Sequence, residues 1–131
     1  MAVGSIVQRW PRKGTRAFTG EFTGAAGSIT AGTVKFKNEL SVVYTGTGVY
    51  TFQYLENGVA CRPGSPCRIA RIWLGVVGLA TAGQGGWDTN ITTDNLNVNG
   101  SFVLTTFSTA GAAADAQGVC KVVVEIEQEA A

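Results

Sequence analysis

Across residues 49–55 the chain changes character at every step. Val49, Thr51 and Gln53 fall on one side of an extended backbone, and Tyr50, Phe52 and Tyr54 on the other. A period of two is the repeat of a strand with one face on a core. Residues 40–45 form another β-branched and aromatic run, and Gly46-Thr47-Gly48 between the two is a tight-connection signal, so the pair reads as a hairpin. The pattern recurs along the chain. Residues 28–37 alternate loosely, with Val34 and Phe36 on one face and Lys35 and Lys37 on the other. Residues 69–79 make a longer run in which Gly75 and Gly78 mark bulges or close packing. Residues 90–94 are a short candidate strand. In residues 101–108, Phe102, Leu104 and Thr106 alternate with Val103, Thr105 and Phe107. Residues 119–126 close the series, with Val122, Val124 and Ile126 set less regularly against Cys120 and Val123.

No stretch of a dozen residues carries a helical stripe. Residues 109–118 include Ala112-Ala113-Ala114, but the segment is short and contains Gly111 and Gly118, so it reads as a loop. Roughly seven strands joined by Gly, Asn, Asp and Pro turns predict an all-β fold, an antiparallel β-sandwich of jelly-roll-like character.

Residues 1–26 read differently. Glycines and threonines punctuate them, and Trp10, Phe18 and Phe22 stand among polar neighbours. Arg9, Arg12, Lys13 and Arg16 form a basic cluster without an acid, while Glu125, Glu127 and Glu129 lie at the other end of the chain. The expected division is an extended N-terminal arm over 1–26 and a β-sandwich domain over 27–131. The arm residues Arg9, Trp10, Arg12, Lys13, Arg16, Phe18 and Phe22 are the candidate partner-binding set. The plainer alternative is a solvated leader that orders only in part.

Charged residues make up 15% of the chain, against about a quarter in ordinary domains. A surface so poor in charge suits burial against other chains, so an oligomer or assembly subunit is expected. A net charge of +1 argues against nucleic acid as a partner, since phosphate binding draws on many cations. The longest apolar stretch, residues 72–80, falls well short of the ~20 residues of a bilayer-spanning helix, so no membrane partner is expected. The first residues lack the apolar stretch of a secretory signal, which implies synthesis in the cytoplasm.

The chain contains no histidine, the commonest general base and the usual partner of a nucleophile. Its acids are scattered, most of them at turns or chain ends, where short carboxylates bond their own backbone. No enzyme mechanism, cofactor or metal site is expected. Cys61 and Cys67 bracket a Pro- and Gly-containing loop that could fold the two sulfurs together. They are a candidate disulfide, with two thiols as the alternative in a cytoplasmic protein. Cys120 reads as a small core residue. Gly83-Gln84-Gly85-Gly86 lacks the Lys-Ser/Thr of a phosphate loop. Trp87 beside it could stack on a sugar or seal one end of the fold.

The stretch Thr45-Gly46-Thr47-Gly48-Val49-Tyr50-Thr51-Phe52, followed by Gly111-Ala112-Ala113-Ala114-Asp115 and a valine-rich terminal strand, resembles small β-rich virion proteins of tailed bacteriophages. The resemblance covers residues 28 to 126 and is interrupted by the loop from Cys61 to Cys67. It implies a structural role on the particle, most like a capsid decoration (cement) protein. Its partners would be the major capsid protein and further copies of itself, as a homo-oligomer such as a trimer. Its place would be the capsid surface of the virion. A tail-fibre, spike or other tail-associated receptor-binding module is the alternative implied by the same group.

Overall fold

The computed structural model describes residues 14–64, 66–77, 88–107 and 111–128. Among them are nine strands and no helix. These are β1 (Gly14–Ala25), β2 (Ser28–Ile29), β3 (Leu40–Gly46), β4 (Val49–Glu56), β5 (Val59–Ala60), β6 (Cys67–Val77), β7 (Asp88–Asn95), β8 (Ser101–Phe107) and β9 (Gly118–Gln128). Every pairing is antiparallel, in two sheets: β2-β1-β9-β6, and β3-β4-β8-β7 with β5 alongside β4. The all-β expectation is met.

One hydrophobic core lies between the sheets. Even-numbered residues of β9 (Cys120, Val122, Val124, Ile126) point into it, and so do Tyr50, Phe52 and Tyr54 of β4 and Phe102 and Leu104 of β8. Aromatic pairs bridge the layers, Phe18 to Tyr54 at 5.9 Å and Phe22 to Tyr50 at 5.4 Å between ring centroids. Such spacings are those of favourable edge and tilted ring contacts. The alternation read over residues 49–55 is therefore correct in phase, and the tight turn falls at Thr47 and Gly48.

The boundary at residue 26 is not where the chain divides. β1 runs along nearly all of β9, from Gly14 opposite Gln128 to Gly24 opposite Gly118, and is an interior strand of its sheet. Phe18 and Phe22 are fully buried in this chain's own core, so neither is available to anchor a partner. Gly20 lies between them on the same face, and its missing side chain leaves room for the ring of Phe36, 2.3 Å from where a Cβ would sit.

Three local readings also change. Residues 28–37 are not one strand: Ser28 and Ile29 pair with β1 and Lys35 returns to bridge Glu21, but the chain turns between and after them through Gly32 (φ 78°), Lys37 (φ 55°) and Asn38 (φ 59°). Phe36 turns into the core while Val34 stays exposed, which parts the two residues expected to share a face. In β9, Cys120 shares the buried face with Val122, Val124 and Ile126 rather than opposing them. In β6 the irregularity falls between Ile69 and Arg71, whereas Gly75 stays in register opposite Lys121. Gly75 is instead a site of close packing, with the Trp73 ring 2.5 Å from where its Cβ would lie.

Candidate interaction surface

Two turns and a loop are tied together by one carboxylate. Asp115 Oδ1 accepts the N–H of Gly48 at 2.7 Å, and Oδ2 accepts the N–H of Gly27 at 2.8 Å. The next residue continues the clasp: Ala116 N–H donates to the Tyr50 hydroxyl at 2.9 Å. Ala114 N–H donates to Thr106 O at 3.0 Å, and the Thr106 hydroxyl donates to Ala114 O at 2.6 Å. Burial, more than any neighbouring charge, pushes the Tyr50 hydroxyl well above the ordinary tyrosine range. Desolvation, aided by its hydrogen bond to Asp115, also raises Tyr44. These contacts build one end of the fold.

The most distinctive outward surface is the far face of the β1-β9-β6 sheet. Odd-numbered residues of β9 stand here beside Arg68, Arg71 and Trp73 of β6. Cross-strand ion pairs cover the face: Arg68 with Glu127 at 2.6 Å, Arg71 with Glu125 at 2.8 Å, and Lys121 with Glu21 at 2.5 Å. The hydrogen bond and charge of Lys121 hold Glu21 below the usual carboxylate range, and the bond to Glu125 raises Arg71. Between these pairs lies an apolar gap. Trp73 is 54% exposed, stands opposite Val123 and covers Gly75. With Arg71, Ile72 and Val123 it lines a shallow groove of about 350 Å³.

The described residues of the predicted arm set, Arg16, Phe18 and Phe22, do not present a shared outward site. Arg16 turns back on its own domain, paired with Glu39 and with its guanidinium 4.6 Å from the centroid of the Phe18 ring. Phe18 and Phe22 are core residues. Arg9, Trp10, Arg12 and Lys13 lie outside the described residues, as does Trp87. Cys61 and Cys67 are not bridged. The amide of Asn97 grips the Cys67 backbone instead, accepting from its N–H at 2.8 Å and donating to its carbonyl at 2.6 Å. Burial pushes the Cys67 and Cys120 thiols up to about 11.

Among the described residues, no group of three or more Cys, Asp or Glu is placed to hold a metal ion. Sequence reasoning passed over Trp73, reading it as one more residue of an apolar run. The signal available was its odd position between Ile72 and Leu74, which sets it on the face opposite theirs. No family model, curated protein or solved structure matches this chain.

Proposed function

We propose that this chain is a structural virion protein, a head decoration (cement) protein that binds across capsid subunits and stabilises the shell. The observation that carries this reading is the clasp between Asp115 and Gly48. It joins the two separated motifs that resemble phage virion proteins into one structural unit. The outer sheet face adds support: its charges are spent on one another in pairs, leaving Trp73 and Val123 as an apolar strip suited to a protein surface.

In this mechanism the two-sheet body is a rigid block, and Arg9, Arg12 and Lys13, ahead of β1, supply positive charge for an acidic capsid surface. Self-association brings several such contacts to the shell together, so each added contact forms at a high effective concentration. The test is a stained gel of purified particles from cells making this chain. Copies in the hundreds per particle, distributed over the head, are expected. Absence from the particle overturns the reading, and a few copies at the tail overturn it in favour of a tail-associated module.

A further inference from the structure

Among the described residues, β6 is the longest of the four edge strands. It is eleven residues long and ends its sheet, whereas β2 at the opposite end has two. At about 3.3 Å per residue the edge spans roughly 36 Å. Exposed edges are ordinarily protected by brevity, by Lys or Pro, or by a bulge. β6 has its irregularity at residues 69 to 71, but from Ile72 onward it reads Ile-Trp-Leu-Gly-Val-Val, without a charge or a proline. Among the described residues, no strand pairs with this edge.

The outward-facing backbone follows from the register. Cys67 stands opposite Gln128, and its N–H and C=O turn away from β9 to the Asn97 amide. Ile72 stands opposite Val124 and Leu74 opposite Val122, residues of the same parity on β9 as Gln128. Backbone direction alternates along an antiparallel ladder, so the N–H and C=O groups of Ile72 and Leu74 also face outward.

We propose that this edge is the self-association interface: two copies pair β6 with β6, antiparallel, about a two-fold axis at Ile72. The occupant is a second copy because the edge is complementary to itself in this register. With Ile72 opposite Ile72, Arg71 of each copy lies across from Trp73 of the other, on the same outer face. The pair occurs twice, as an isologous contact requires. A guanidinium over an indole is a favourable pairing, and Glu125 already holds Arg71 on that face. Sliding the axis to Leu74 would instead set Trp73 against Gly75 of the other copy, where that copy's own Trp73 ring lies. Main-chain hydrogen bonds give such edge pairing its affinity and the facing side chains its register. The proposal deepens the self-association in the reading above, but its test uses the isolated full chain, so either can fail without the other.

Sedimentation equilibrium of the full chain should show a monomer–dimer equilibrium. Amide exchange at Ile72 and Leu74 should slow as concentration rises, while the N–H groups of Arg71 and Trp73, bonded within the chain, should change little. Trp73→Arg places Arg opposite Arg and should weaken the dimer by about tenfold or more. Adding Arg71→Trp restores an Arg–Trp pair across the axis and should recover most of the loss. A monomer at all concentrations, a trimer, or a dimer whose Ile72 and Leu74 amides exchange independently of concentration would overturn the proposal. So would a folded Trp73→Arg variant, verified by circular dichroism, that dimerises unchanged.

Discussion

The carboxylate of Asp115 accepts the backbone N–H of Gly48 at 2.7 Å, across 67 positions of sequence. Gly48 is buried at φ +68°, and a Cβ there would come within 2.8 Å of Ala114 N and 2.7 Å of Thr106 O. The turn of the β3–β4 hairpin and the alanine loop before β9 therefore require each other. The glycine lets the loop approach, and the carboxylate fixes it there.

Replacing Asp115 by Ala removes acceptors from both Gly48 and Gly27. Hydrogen bonds to charged groups contribute more than neutral ones, so the substitution should cost about 2 kcal/mol in urea unfolding. Faster amide exchange at Gly27 and Gly48 should accompany it. Asp115→Asn keeps one acceptor oxygen and should cost about half as much. Gly48→Ala should cost at least ~2 kcal/mol, since it adds a left-handed strain to the backbone clash.

Phe18 and Phe22 now yield the opposite of what an arm would. Phe18→Ala or Phe22→Ala should each cost ~3–5 kcal/mol, the usual loss for emptying a buried aromatic position. Removing residues 2–24 would take β1 from the middle of its sheet, and the remainder should lose cooperative unfolding. Removing 2–12 stops short of β1, which begins at Gly14, so cooperative thermal unfolding should persist. A folded 2–24 deletion, seen by circular dichroism, would contradict the strand assignment.

The contrast between β4 and β1 shows what was legible in the sequence. In β4 the inward positions are Tyr50, Phe52 and Tyr54, three large rings whose alternation announces a strand. In β1 the inward positions run Phe18, Gly20, Phe22, Gly24, the same period of two with its second and fourth places empty of side chain. Those glycines are required because Phe36 and the Ala116 carbonyl occupy the space, and both come from elsewhere in the chain. Hydropathy along the chain cannot register a neighbour's side chain, so a core strand read as an arm. The Asp115 clasp was equally out of reach, since its partners are backbone N–H groups. Trp73 was visible as a residue. Its odd position set it on the face opposite Ile72 and Leu74, but which face lies outward and that β6 ends its sheet were not available from the pattern.

The Gly20 position can be tested directly. Ala at this position would bring its Cβ to 2.3 Å from both the Lys35 carbonyl oxygen and the Phe36 ring. Neither neighbour is the far end of a flexible chain, so the segment over β1 must move. Gly20→Ala should cost ~1–3 kcal/mol by overpacking, measured by urea unfolding. Gly20→Ala combined with Phe36→Leu, which withdraws part of the ring, should recover some of that loss. Two costs that simply add would show that the two positions do not compete for space.

Burial also gives the protein an alkaline limit. Cys120 is fully buried, and its thiol rises from an ordinary value of 9.0 to about 11. The folded state therefore holds this proton more tightly than the unfolded state does. The contribution is whole below pH 9 and is lost as pH rises through the folded value near 11, so stability must fall with pH across that window. Lysines and tyrosines titrate there too, so a comparison with Cys120→Ala isolates the thiol. The variant should be less stable at neutral pH for lack of the sulfur's packing, yet lose stability less steeply above pH 9, by up to ~1 kcal/mol per pH unit. At mildly alkaline pH, iodoacetamide should modify half-buried Cys61 ahead of buried Cys67 and Cys120. Urea midpoints measured at intervals through the window give the slope, and equal slopes for the two proteins would show that Cys120 ionises alike in the folded and unfolded states.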